Sequence, residues 1–133
     1  MTGGTAGDLA REMFAGDLAS AALGIEVAEL APGRAVATMT VTQTMVNGHG
    51  ITHGGFVFTL ADTAFALACN GYGVPAVGAQ ADIRFVRATR LGDTLTAVAT
   101  ERARYGRNGI YDVTVTSSDA LVAEFRGTSR TTR

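Results

Sequence analysis

Apolar positions along this chain recur with a helical period in one long central stretch and with a period of two on either side of it. The central stretch, Asn47 to Gly73, reads NGHGITHGGFVFTLADTAFALACNGYG. Phe56, Leu60, Thr63, Ala64 and Leu67 return at spacings of three and four, and Phe58, Ala61, Phe65, Ala68 and Cys69 fill most of the remaining circumference. This pattern predicts a helix of about seventeen residues, apolar nearly all round and therefore buried. Gly54 and Gly55 mark its opening, and Gly71 and Gly73 follow its last apolar residue as stops. A run so short, interrupted by Asp62, does not span a membrane.

Before the helix, Asp8 to Ala15 predicts a short helix ended by Gly16, and Asp17 caps a second turn, Leu18 to Leu23, that stops at Gly24. Ile25 to Leu30 reads as a strand ended by Pro32 and Gly33. Arg34 to Val41 reads as a second, with Ala35, Ala37, Met39 and Val41 facing one way. After the helix, Val77, Ala79, Ala81, Ile83 and Phe85 alternate with Gly78, Gln80, Asp82 and Arg84, which predicts a half-buried strand whose inward face covers the helix. A turn at Arg90 to Asp93 leads into a strand from Thr94 to Ala103. Arg107, Asn108 and Gly109 signal a hairpin before Tyr111, Val113 and Val115, and Ser118 with Asp119 turns the chain into Leu121, Ala123 and Phe125. Turns this short leave no room for crossover helices, so these strands run antiparallel. The expected architecture is α+β: roughly five or six strands in a curved antiparallel sheet rolled around one long helix.

Composition narrows the function. At 133 residues, 47% of them hydrophobic, the chain is one domain of common size with a real core. A net charge of -1 argues against nucleic-acid binding, and no basic amphipathic helix points to a membrane surface. The single cysteine excludes an internal disulfide, and Cys69, with no cation nearby in sequence, reads as a small buried hydrophobe. The opening MTGGTAGDLARE carries acids early and no apolar core of signal-peptide length, so a cytoplasmic location is expected. All 11 basic residues are arginine, and Arg84, Arg87, Arg90, Arg102, Arg104 and Arg107 fall in one segment. Guanidinium forks suit phosphates.

Between Ala35 and Ala81 the only charged side chain is Asp62. A lone carboxylate in so apolar a context is expensive unless it has partners or a task. His49 and His53 lie four apart in a glycine-rich loop, there is no third histidine, and Asp62 is two helical turns farther on, so no metal site is expected. Gly48, Gly50 and Gly54 precede a helix as in dinucleotide loops, but no βαβ repetition follows. The N–H groups of Gly54 and Gly55, at a helix N-terminus, can instead stabilise negative charge growing on an acyl oxygen. A carboxylate near the same carbonyl can activate water or attack it directly. Gly54 and Asp62, however, stand about 12 Å apart along one helix, too far to meet at one acyl carbon. Acyl transfer to water therefore requires two copies with antiparallel helices, the N-terminus of one beside Asp62 of the other.

The run Asn47-Gly48-His49, then His53-Gly54-Gly55, Leu60-Ala61-Asp62-Thr63-Ala64-Phe65-Ala66 and Ala68-Cys69-Asn70, closely resembles the phenylacetate-pathway (PaaI-like) acyl-CoA thioesterases of the hotdog-fold superfamily. The likeness extends from Ala22-Leu23-Gly24-Ile25 through Gly92-Asp93-Thr94-Leu95 to Phe125-Arg126-Gly127. It implies a hotdog fold over residues 1–133, an obligate homodimer usually paired into a tetramer, and hydrolysis of an acyl-CoA without metal or other cofactor. Asp62 matches the catalytic acid, acting as general base or nucleophile, and the Gly54 N–H matches the group that polarises the thioester carbonyl. Asn47 matches a side chain that places the thioester or the attacking water, and His53 a histidine of the same motif, catalytic or structural. Ala66 departs from a sister branch, which carries a hydroxyl residue there to position water.

The implied substrate is an aryl-acetyl ester, phenylacetyl- or hydroxyphenylacetyl-CoA. Gly55 is expected to help bind it, and Arg87, Arg90 and Arg107 are expected, from charge and turn location, to meet the CoA phosphates. Two other functions stay open: an enoyl-CoA hydratase or dehydratase on the same scaffold, and a non-enzymatic module that binds acyl or aromatic ligands.

Overall fold

The computed structural model describes residues 6–132, so residues 1–5 and Arg133 of the expected domain lie outside the described residues. The chain runs α1 (Ala6–Ala15), α2 (Leu18–Ala22), β1 (Glu26–Ala31), β2 (Arg34–Thr40), a 3-10 turn (Gln43–Met45), α3 (Gly54–Cys69), β3 (Ala76–Phe85), β4 (Thr94–Tyr105), β5 (Asn108–Ser117) and β6 (Ala120–Thr131). All six strands join one antiparallel sheet in the order β1-β2-β4-β5-β6-β3, and α3 packs across one of its faces.

The period-two residues of the central strands form the helix-facing side. Ala35, Ala37, Leu95, Ala97, Ala99, Val113, Val115 and Ala123 are all fully buried against α3, whose Leu60, Ala61, Ala64, Leu67 and Ala68 are equally closed off. Alanines on β2 and β4 let the helix sit close to the sheet, while larger residues fill the β5–β6 side. Phe65 is seated over Gly127: a Cβ there would stand 2.9 Å from the ring, so only glycine leaves the space. The Phe65 ring meets Tyr111 edge-on at 5.7 Å and Phe125 at 5.8 Å between centroids.

Two turn details differ from the sequence pattern. The β4–β5 hairpin turns at Gly106 and Arg107, because Tyr105 already pairs with Asn108; Asn108 and Gly109 begin β5. Gly106, at φ +58, supplies the positive dihedral that the first position of a two-residue hairpin needs. At the end of α3 the stop is Asn70 rather than a glycine. Its side-chain Nδ2 donates to Ala66 O at 2.9 Å and Ala76 O at 3.1 Å, and its Oδ1 accepts from Ala76 N at 2.9 Å. One buried amide thus closes the helix and pins the start of β3.

β3 overturns the expectation of a half-buried strand covering the helix. It is an edge strand, exposed almost throughout, with Val77 58% and Phe85 56% exposed and only Ile83 and its first residue half-buried. A helix about 10 Å across covers only two or three strands spaced about 4.8 Å apart, and α3 lies over the middle of the sheet. A bulge between Gly78 and Gln80 also shifts the phase. Ala81, Ile83 and Phe85 pair with Gly127, Phe125 and Ala123 on the helix side, whereas Val77 pairs with Arg130 on the other.

Candidate active site

The loop before α3 is built by Asn47. Its Oδ1 accepts from His49 N at 2.9 Å and Ile51 N at 3.3 Å, and Gly50, at φ +76, closes the turn by donating its N–H to Asn47 O at 3.0 Å. Thr52 and Thr89, both buried, tie this loop to the segment after β3 through a 2.7 Å hydroxyl bond and a 2.8 Å bond from Thr52 N to Thr89 O. Because Asn47 Oδ1 is committed, its Nδ2 is the part left to meet a ligand.

His53 is the N-cap of α3, and its Nδ1 accepts the Gly55 N–H at 3.1 Å. The cap consumes the Gly55 N–H, which was expected to face substrate. The Gly54 N–H has no acceptor among the described residues and stays available at the positive end of the helix. It opens on a cleft of about 290 Å³ that Asn47, Val57, Phe85, Val86 and Arg87 also line. Phe85 lies directly over Gly54, where a Cβ would stand 2.9 Å from its ring.

Asp62 lies elsewhere. It borders a second cleft, of about 470 Å³, walled by Met13 of α1, by Phe65, Ala66 and Cys69 of α3, and by β3 from Ala76 to Ala81. The residue is exposed in the single chain, yet these walls crowd its carboxyl enough that burial pushes its pKa above the ordinary carboxylate value, and the charge of Asp17 adds to the rise. Asp17 is held there by structure. It caps α2 through Ser20 N at 2.9 Å, accepts the Ser20 hydroxyl at 2.6 Å, and Ser20 Oγ in turn meets Thr63 Oγ1 at 2.9 Å inside the protein. α2 is thereby locked to α3 one residue from Asp62.

Asn47, Gly54 and Arg87 therefore share one cleft, and Asp62 occupies another. Backbone bonds from Val86 N and Arg87 N to Val122 O fix the segment that carries Arg87. Arg90 borders neither cleft; its backbone N–H donates to Asp93 Oδ2 at 2.8 Å in the turn before β4. Arg107 lies in the β4–β5 hairpin, its Nη2 donating to Thr131 O at 2.9 Å. Sequence reading missed Phe85, which passed for strand alternation, and the coupling of Asp17 to Asp62, which nothing in their 45-residue separation betrays.

Residues 49–124 match the family model described as the thioesterase superfamily. Over 121 residues the chain is 46% identical to acyl-coenzyme A thioesterase PaaI of Escherichia coli K12, covering 90% of this chain and 86% of that one. The solved structure of the E. coli PaaI protein, described as coming from the phenylacetic acid degradation operon, superposes with a TM-score of 0.93 at 44% identity, covering 96% of this chain and 94% of that one. A hypothetical thioesterase of Streptococcus pneumoniae TIGR4, solved with coenzyme A, gives a TM-score of 0.78 at 28% identity over 81% of this chain and 88% of that one. The chain belongs to the thioesterase superfamily: it is a thioester hydrolase with the hotdog fold, a six-stranded antiparallel sheet packed against one long helix.

Proposed function

We propose that this hydrolase cleaves aryl-acetyl coenzyme A esters at two equivalent sites, each completed by a second copy of the chain paired along β3. The observation that carries the reading is the division of the chemistry. The free Gly54 amide and the Asp62 carboxyl stand in separate clefts of one chain, and the strand beside the Asp62 cleft presents an unpaired edge. An exposed edge of ten residues bearing Val77 and Phe85 calls for a partner strand. Antiparallel pairing about a two-fold axis sets the Asp62 cleft of one copy against the Gly54 cleft of the other.

In that arrangement the thioester carbonyl oxygen accepts the Gly54 N–H, which gains strength as negative charge grows on it in the tetrahedral transition state. Asp62 takes a proton from water as the water oxygen bonds to the acyl carbon. The C–S bond then breaks, and Asp62 passes that proton to the departing thiolate. Alternatively the Asp62 oxygen itself bonds to the acyl carbon, the C–S bond breaks to leave an anhydride and a thiolate, and water then cleaves the anhydride, its proton going to the thiolate. A carboxyl whose pKa is raised is both the stronger base and the stronger nucleophile once ionised, which suits either route; oxygen-18 water in a single turnover separates the two by where the label enters.

Asn47 Nδ2 is placed to donate to the attacking water or the thioester, and His53 serves by fixing the helix opening. Arg87, which shares the Gly54 cleft, is the arginine proposed to meet a ligand there; Arg107 lines a different cleft, and Arg90 borders neither the Gly54 nor the Asp62 cleft. The aryl preference is supported by the likeness to the E. coli protein and by a cleft walled with Phe65, Met13 and Ala66. A thiol-release screen over phenylacetyl-, hydroxyphenylacetyl-, straight-chain and enoyl-CoA esters tests it. The aryl-acetyl esters should show the highest kcat/KM; a preference for straight chains sinks the acyl assignment, and hydration of enoyl-CoA without thiol release sinks the reaction.

A further inference from the structure

A third cleft, of about 210 Å³, lies between the C-terminal end of α3 and the base of the β4–β5 hairpin. Tyr72, Arg104, Arg107, Asn108, Tyr111 and Ser129 line it, and the proposed reaction uses none of them. Its floor carries a hydroxyl that no protein group engages. Ser129 is only 5% exposed, and its hydroxyl makes no hydrogen bond to protein among the described residues; since no fully buried polar side-chain atom there lacks a partner, this oxygen reaches the cleft. It is free to bond a polar group that enters the cleft. Gly109 keeps that space open, since a Cβ there would stand 2.9 Å from Ser129 Oγ and 2.7 Å from the Tyr111 ring.

The walls are cationic. The Arg104 guanidinium lies 3.7 Å above the Tyr72 ring, with its Nε 3.8 Å from Glu101 Oε1. That carboxylate oxygen also accepts from Tyr72 at 2.7 Å and from Tyr111 at 3.4 Å, so it offsets one guanidinium at most. Arg107 makes no ion pair among the described residues and spends one donor on Thr131 O. Burial pushes the Cys69 thiol up to about 12, so no thiolate in the wall competes for the positive charge. One cationic charge and most of two guanidinium forks thus face a small space floored by an unbonded hydroxyl.

We propose that this cleft binds a phosphate group, held by Arg104 and Arg107 from the walls and by the Ser129 hydroxyl from the floor. Donors converging from three sides fit a tetrahedral oxyanion with several equivalent acceptors. Cys69 and Ala76 line both this cleft and that of Asp62, so the two are contiguous along the last turns of α3. The phosphate is either part of the CoA nucleotide whose thioester lies near Asp62 or a free phosphate anion, and the two sources separate experimentally.

The test uses wild type and the Arg104→Gln/Arg107→Gln double variant, with Ser129→Ala as a milder second variant should the first fail to fold. Titration with inorganic phosphate by calorimetry is combined with KM for matched acyl-CoA and acyl-pantetheine esters, the latter lacking every phosphate. If the cleft holds the nucleotide, the double variant raises KM for the CoA ester about tenfold or more, leaving kcat and the pantetheine ester unchanged. If it holds free phosphate, wild type binds the anion, the variants lose that binding, and neither KM moves. The proposal is overturned if neither phosphate binding nor the CoA ester's KM responds in the variants, or if both esters lose KM equally. A wild type without thiol release would end the proposed function, yet the phosphate titration would still report on this cleft.

Discussion

β5 and β3 carry the same alternating signature, ten residues each, and meet opposite environments. On β5 every second residue from Gly109 to Val115 is buried, because α3 lies over it and β4 and β6 flank it. On β3 nearly every residue is exposed, because it lies at the rim beyond the reach of the helix. Alternation records that one face of a strand is to be covered; it does not record by what. In β5 the cover is intramolecular, and in β3 the proposed cover is a second copy of the chain.

The largest effect that separates the two strands comes from a buried charge. Val113→Asp places a carboxylate at a fully buried site of β5 and should cost several kcal/mol, enough to abolish the folded circular-dichroism signal at a net stability of about 5–15 kcal/mol. Survival of a cooperative melt near the wild-type temperature would contradict the assigned core.

Next come the two halves of the site on either side of β3. Asp62→Asn should lower kcat by about 10²–10⁴-fold while leaving the dimer intact. It should also raise Tm, since an ionised group whose folded pKa lies above its unfolded value costs stability at neutral pH. In a Phe85→Ala background, which clears the space a Cβ at Gly54 needs, Gly54→Pro removes the N–H at the first helical position and should cost about 10²–10³-fold relative to that background. Co-refolding the two dead variants in equal amounts should restore about a quarter of wild-type activity, because each mixed dimer regains one intact site. No recovery would mean that the site lies within one chain.

A smaller effect is expected from Val77→Asp on the exposed edge. It should leave the monomer folded yet raise the dimer dissociation constant at least about tenfold, read by ultracentrifugation, with activity falling in step with the dimer fraction. The smallest is Asp17→Asn, which keeps the α2 cap but removes the charge beside Asp62. If Asp62 acts ionised, the rate falls as pH drops through its raised pKa. Losing the Asp17 charge should shift that acidic limb to lower pH, with kcat on the plateau little changed. An unmoved limb would remove Asp17 from the site's electrostatics.

Much of the molecule was legible from residue order. The burial of α3 followed from its apolar circumference, and its opening from the paired glycines, with the structure adding His53 as the cap. Ser118 and Asp119, at φ 48 and 66, turn the chain where their residue types foretold it. Asp62 stood out because no other charge shares its stretch of the chain. Less legible was the division among the arginines: Arg87, Arg90 and Arg107 look alike in sequence, and the bonds from residues 86 and 87 to Val122 and the hairpin at Gly106 send them to three different places.

What the sequence alone determined is therefore local: periodicity, the ends of the long helix, the direction of the strands and the identity of one unpaired acid. These depend on neighbours a few residues away. Tertiary structure alone decided which strand lies at the rim, that His53 takes the Gly55 N–H while that of Gly54 stays free, and that Asp17 is held near enough for its charge to act on Asp62. Those outcomes depend on groups far apart in the chain, whose distance is set only once the helix has settled over the middle of the sheet.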